Sequence, residues 1–247
     1  MIRVLSVLLS LVFIVHAGWH ASAQGSVESG ETPVLPLLFE DDFERVEADD
    51  AKEQLGNGWE TNSKKRAKGN KQVDLKDGAL FITRHHVADH GVSVVKDVDF
   101  RNAQIEMKFR LAKGDDLGIN LADMKEKSVH AGHICVARIR LNKVEITDLK
   151  TGPMNLENRN LKLAGELTRQ QKIAIGKKTK TIPVNLDADV WHTLLVKVRG
   201  DQMGVQIDGV DVGEFRSPGI GHATKRRLRL AVGKSAVVDD LSIRGTP

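Results

Sequence analysis

The chain has no tyrosine, one cysteine and six prolines, and its three Trp and seven Phe bring the aromatics to only 4% of 247 residues. Each shortage excludes something. A lone Cys135 can close no intramolecular disulfide, so an exported form of this chain must be held together by its core. Tyrosine and tryptophan are the usual polar-tipped platforms at recognition surfaces, so their scarcity disfavours a lectin driven by stacking. Aromatics are also missing from the three basic clusters: Lys64-Lys65-Arg66 with Lys68 and Lys71, Lys172 with Lys177, Lys178 and Lys180, and Lys225-Arg226-Arg227 with Arg229. Base stacking therefore has no platform, and a net charge of +4 is no nucleic-acid footprint. The clusters read as solvated loops or, if they converge, as an attractor for an anionic polymer.

Long apolar runs are missing too, except at the start. Residues 1–23 read as a secretory signal: Arg3 is the positive end, Val4 to Val15 form an apolar stretch of about 12 residues, and Ala21-Ser22-Ala23 is an A-x-A cleavage site. A membrane span needs about 20 residues, so this stretch is short for one, with a retained N-terminal anchor as the alternative. The expected mature chain starts at Gln24, is secreted or periplasmic, and has no membrane association after signal removal. Residues 24–36 (QGSVESGETPVLP) read as a linker, which leaves 37–247 as one domain.

What fills that domain is period-2 alternation. In Ala103–Leu111, Ile105, Met107, Phe109 and Leu111 point one way while Glu106, Lys108 and Arg110 point the other. Similar short runs cover 37–43, 79–84, 92–95, 118–122, 133–141, 143–148, 191–199, 203–207, 210–215, 227–232 and 236–243, with turn signals such as Asp77-Gly78 and Asp208-Gly209 between them. About a dozen short strands so spaced predict an all-β fold, a two-sheet antiparallel β-sandwich or jelly roll. Leu156–Lys180 breaks the pattern. Rich in Leu, Lys, Arg, Glu and Gln, it reads as a helical insertion on a surface loop, with a disordered basic loop as the alternative.

The order of the segments FEDDFER, GNGWE, DLKDGALFI, DFRNAQIEMKFRL, GHICVARI, VEITDLKTG, DADVWHTLLVKVRGDQMGVQIDG and AVVDDLSIRG resembles the concanavalin A-like (laminin G-like) jelly rolls. More narrowly, it is similar to the 3-keto-disaccharide hydrolase domains of exported, planctomycete-type bacterial proteins. The resemblance spans roughly residues 39–245 and is most specific over Trp191–Gly209. It implies a sandwich, a carbohydrate ligand or substrate, and cleavage of glycosides whose sugar bears a 3-keto group. That group's Asn-Ser-Gly turn stands here as Asp116-Leu117-Gly118, and its Glu-bearing strand as His133-Ile134-Cys135.

Candidate chemistry concentrates in the histidines. His85, His86 and His90 crowd beside Asp89, and His130 and His133 follow. Such groups serve as structural hydrogen-bond partners, as a polar active cleft or as metal ligands, but no Cys-rich or HExxH pattern supports zinc. Asp41-Asp42, Asp115-Asp116 with Asn120, and Asp239-Asp240 read as solvated carboxylates, so no cofactor is expected; the alternative is that these hard-oxygen donors hold a structural calcium ion. Glycoside hydrolysis usually needs two carboxylates across a cleft, for which Glu106, Glu145 and Asp148 are candidates. The Glu-x-Asp-x-Glu arrangement of concanavalin A-like glucanases is missing. Glu106, His133 and Asp148 are therefore the expected catalytic groups, with His90, His130, Arg110 and Trp59 binding substrate. Trp59, in the Gly56-Asn57-Gly58 loop, is the one sugar-stacking candidate. Two functions stay open: an exported hydrolase with a polar cleft on the concave sheet, or a non-catalytic module for a glycan or protein.

Overall fold

The computed structural model describes residues 35–246; the expected signal sequence over 1–23 and nearly all of the expected linker lie outside the described residues. The first strands are β1 (Leu37–Asp41), β2 (Trp59–Thr61), β3 (Val73–Lys76), β4 (Ala79–Thr83), β5 (Val92–Phe100) and β6 (Asn102–Arg110). Next come β7 (Leu117–Ala122), β8 (His133–Arg140), β9 (Lys143–Asp148) and β10 (Thr179–Pro183). The series ends with β11 (His192–Arg199), β12 (Gln202–Ile207), β13 (Val210–Arg216), β14 (Lys225–Val232) and β15 (Ser235–Thr246). Helices are few and short: α1 (Ser63–Arg66), α2 (Leu156–Ala164) and α3 (Arg169–Gly176).

The strands form two antiparallel sheets, as the alternation predicts. One runs β13-β12-β11-β6-β15-β4-β3, with β1 also paired to β15; the other runs β10-β9-β8-β7-β14-β5-β2. Twelve-residue β15 serves two partners along one edge, β4 through its first half and β1 through its second. Inward side chains of both sheets share one core: Ile105, Met107 and Phe109 of β6 lie in the same cluster as Ile119 and Leu121 of β7 and Leu228 and Leu230 of β14. Burying each such side chain contributes roughly 1.5–3 kcal/mol, and the alternation ensures that each strand offers one face to this layer.

The residues between 156 and 180 do form helices. Asn155 caps α2 by accepting from the backbone of Glu157 and Asn158, Gly165 (φ +76°) ends it, and Thr168 and Gln171 cap α3 reciprocally. Neither helix buries a side chain. Their position is fixed at the base instead, where Leu156 N donates to Ser128 O and His130 N donates to Met154 O, both at 2.9 Å. Strand resumes before the expected insertion ends at Lys180: β10 spans Thr179–Pro183, an edge position where proline's missing N–H is tolerated.

Candidate functional site

The outer face of the seven-stranded sheet holds a cleft of about 880 Å³. Its floor follows from strand parity. In β14, Leu228, Leu230 and Val232 are buried in the core, so Arg227 and Arg229 project outward. Arg229 sits directly opposite Asn120 of β7, and β8 adds His133 and Arg138 one strand further along. Gly118 makes room for Arg138: a Cβ at that position would fall 3.1 Å from the Arg138 guanidinium, which reaches past it to pair with Asp116. The wall above is the helical insertion, through Pro153, Met154 and Arg159, and the opposite rim carries His90 and Arg66.

His133 is the most constrained group in the cleft. Asn120 Nδ2 lies 3.0 Å and Oδ1 3.2 Å from its Nδ1, while Arg229 Nη1 lies 2.9 Å from Nδ1 and 3.1 Å from Nε2. Burial first, and then the positive charges of Arg229, His130 and His90, push its pKa down to about 3, so the imidazole is neutral. Arg229 pairs with no carboxylate among the described residues. Its pKa is lowered to about 10 by burial and by Arg227, so it stays charged at neutral pH. His130 stacks on His133 at 6.5 Å between ring centroids, and its pKa is lowered by partial burial and by Arg159, Arg229, Arg66 and His90. Two left-handed residues between them, Ala131 (φ +50°) and Gly132 (φ +69°), turn the chain so that both rings face the cleft.

Of the seven expected site residues, the cleft gathers His90, His130 and His133 and leaves out the other four. Glu106 is exposed on the outer face of the other sheet, where neighbouring Lys108 pairs with Asp240 at 2.5 Å. It lines a separate depression of about 330 Å³, a sandwich thickness of about 10 Å or more from His133. Arg110 belongs to that sheet as well, its guanidinium 5.0 Å above the ring of Trp191, which is 40% exposed and not in the core. Asp148 is fully buried and faces away from the cleft; its carboxylate accepts from Thr151 N (2.9 Å), Thr151 Oγ1 (2.5 Å), Ser217 Oγ (2.6 Å) and Gly219 N (2.9 Å). Trp59 is buried edge-on against Phe39 and donates from Nε1 to Asp41 at 2.7 Å, so it is a core residue and no sugar platform.

The expected carboxylate pair across a cleft is thus not brought together. Glu145 does line the cleft, but Arg140 and Lys143 bind it; burial would raise its pKa, and these cations hold it below the usual carboxylate value. The carboxylates considered for calcium are engaged by protein donors: Asp41 by Arg45 and Trp59, Asp116 by Arg138 and Gly233 N, Asp240 by Lys108. Among the described residues no group of three or more His, Cys, Asp or Glu converges to hold a metal ion. Asn120 and Arg229 were the residues whose role the pattern hid. Asn120 read as a calcium donor and Arg229 as part of a basic cluster, although the alternation of Arg227, Arg229 and Ala231 along β14 already sets them on one face.

Fold and site together define the class: a two-sheet antiparallel jelly-roll sandwich with a polar, arginine-rich cleft on the outer face of one sheet. The chain belongs to the 3-keto-alpha-glucoside-1,2-lyase-like domain family, whose model matches residues 47–241. No curated protein matches it in sequence. Among solved structures it is similar to a laminarinase from Rhodothermus marinus, with TM-score 0.57, 12% identity, and 87% of this chain and 98% of that chain covered. The laminarinase catalytic domain from Thermotoga maritima gives TM-score 0.55 at 14% identity, with coverage of 87% and 100%. A Bacillus subtilis protein of unknown function with a galectin-like fold gives 0.54 at 12% identity, with coverage of 86% and 97%. At such identities the likeness is one of fold alone.

Proposed function

We propose that the cleft binds a 3-keto-glycoside and cleaves its C1–O bond by elimination across C1 and C2. The observation that carries this reading is a neutral imidazole, His133, held within 3.1 Å of the carboxylate-free guanidinium of Arg229. A ketone at C3 acidifies the C2 hydrogen because the electron pair left behind delocalises onto the keto oxygen as an enolate. Arg229 supplies the cation for that developing oxyanion, in a partly buried position where a charge-assisted hydrogen bond is strong. Arg229 Nη1 lies close to both ring nitrogens of His133. A keto oxygen is a competing acceptor that draws the guanidinium away and frees the ring nitrogen to take the C2 proton. The enolate then expels the C1 oxygen and forms a C1–C2 double bond, and the imidazolium returns its proton to the departing alcohol. The products are an unsaturated keto sugar and the free aglycone, and water adding across the new double bond gives net hydrolysis. This route needs no second carboxylate, which fits a cleft where Glu145 is already ion-paired.

The family membership supports the substrate class, and the N-terminal sequence supports an exported, secreted or periplasmic setting. The test is release of nitrophenol from 4-nitrophenyl 3-keto-α-glucoside by the purified protein. Turnover that disappears in His133→Ala while the melting temperature is kept supports the reading. Wild-type protein that binds the glycoside without turning it over supports the non-catalytic glycan-binding module instead.

A further inference from the structure

The cleft is far more cationic than the chain around it. Seven of its lining residues are Lys or Arg and two are Glu, an excess larger than the +4 carried by all 247 residues together. Three of the seven are neutralised by carboxylates: Arg138 by Asp116, Arg140 by Glu145 and Arg227 by Asp97. Arg66 makes one long contact of 3.4 Å with exposed Asp89. Lys65, Arg159 and Arg229 line the same cleft and pair with no carboxylate among the described residues. The charges acting most on His130 are all positive, coming from Arg159, Arg229, Arg66 and His90.

The backbone that carries Arg159 is fixed. Arg159 sits on the first full turn of α2, whose start is pinned to the His130 segment by Leu156 N to Ser128 O and His130 N to Met154 O, and whose N-terminus is capped by Asn155. Bringing like charges together costs free energy that an incoming anion recovers, and arginine gives that anion a planar pair of donors. The cleft is also poorly equipped for an uncharged sugar. It has no Phe or Trp for ring stacking, and of its two carboxylates Glu145 is already engaged.

We infer that the part of the cleft lined by Arg159, Lys65 and His130 is a subsite for an anionic substituent, a carboxylate or a sulfate, on the glycan that the cleft binds. The inference rests on the proposed glycan-binding role of the cleft, but not on catalysis. A uronate or a sulfated sugar would place its anion against Arg159 and leave the neutral part of its ring over Asn120, His133 and Arg229.

Binding of D-glucuronate, glucose 6-sulfate, D-glucose and inorganic sulfate to the purified protein, measured by titration calorimetry or protein-detected NMR, tests this. At low ionic strength one or both anionic sugars should bind at least tenfold more tightly than glucose, and 0.5 M NaCl should erode most of the difference. Preference for glucuronate assigns the carboxylate, and preference for the sulfated sugar assigns the sulfate. Arg159→Gln should cut the preference at least fivefold, Lys65→Gln should cut it less, and Arg159→Lys should restore part of it. Equal affinity for glucose and both anionic sugars would overturn the inference. So would inorganic sulfate binding as tightly as the sugars, or an Arg159→Gln variant that keeps the full preference. These outcomes are separable from the catalytic reading, because a protein inert towards 3-keto-glucosides can still show the preference and a turnover-competent one can lack it.

Discussion

Asn120 and His133 stand on neighbouring strands with the amide 3.0 Å from Nδ1, and they meet because a register shift in the β7–β8 pairing pairs Ala122 with His133 while Leu121 pairs with Cys135. An uncharged amide in that place does nothing to favour protonation, and it leaves burial and three cations to keep the ring neutral. The sign of the linkage follows. Because the folded value of about 3 lies below the ordinary histidine value of 6.5, stability present above 6.5 is lost as the pH falls towards 3. His133 is therefore expected to remain neutral at pH 5 by NMR titration of its ring. Asn120→Asp, by setting a carboxylate beside the ring and Arg229, should raise its pKa and reduce its share of the acid-induced loss of stability.

The turn carrying the two cleft histidines stores backbone strain. Gly132 has φ +69°, and a Cβ there would fall 2.6 Å from the backbone oxygen of Asp123, which is held in place by accepting from Glu126 N at 3.1 Å. Gly132→Ala should destabilise the protein by about 1–3 kcal/mol in urea denaturation and, by displacing His133, reduce the proposed glycan binding. Ala131, at φ +50°, is a non-glycine residue in the same left-handed region. Ala131→Gly should be neutral or stabilising by up to about 1 kcal/mol, and the opposite signs of the two substitutions mark the strain as local.

The sandwich was legible because its signal is local and repeated. Ile105, Met107 and Phe109 alternate with Glu106 and Lys108 whatever their partners, and the structure buries the first set and exposes the second. Of the strands that escaped notice, β2 and β3 are only three and four residues long, while β10 is an outer strand that starts inside the segment whose composition reads as helical. The cleft was only partly legible because it depends on which sheet a strand joins. Glu106 and His133 both point outward from their strands, but outward from opposite sheets, and alternation cannot tell one sheet from the other. Asp148 misled for a different reason. A carboxylate at a strand end before a turn looks the same in sequence whether it faces a substrate or caps a buried loop.

That loop role gives a clear contrast between two carboxylates. Removing the Asp148 side chain orphans the Ser217 hydroxyl and the backbone N–H groups of Thr151 and Gly219 in a region where Ser217 and Asp148 are both buried. Asp148→Ala should therefore cost about 3 kcal/mol or more in unfolding free energy, since each stranded buried donor costs about 1–3 kcal/mol. Glu106→Ala, on the exposed face of the other sheet, should change stability by less than about 0.5 kcal/mol and leave the glycan binding proposed for the cleft unchanged. A loss of binding in Glu106→Ala with the fold intact would relocate the site to the eight-stranded sheet.

His192 and Asp208 predict a pH signature of the opposite sign. The ring lies 5.5 Å from Phe109 and is buried, with Nδ1 2.7 Å from Asp208 Oδ2 and Nε2 3.0 Å from the carbonyl oxygen of Asp187. Burial by itself would lower the histidine pKa, but the hydrogen bonds to Asp208 and Asp187 outweigh it and raise the pKa above 6.5, while Asp208 is held below 3.8. A raised histidine contributes stability that is present below 6.5 and lost as the pH rises through its folded value. A lowered aspartate contributes stability that is present above 3.8 and lost as the pH falls through its own. The ion pair is therefore worth most between those limits. Asp208→Asn keeps an acceptor for Thr193 N and suits the positive φ before Gly209, so it removes the charge and little else. Because the Asp208 side chain is 49% exposed, solvent screening limits the effect to about 0.5–1 kcal/mol. Thermal melts of wild type and Asp208→Asn should differ most near pH 5–6 and converge above pH 8, and a difference that persists unchanged at pH 9 would show that the charge plays no part.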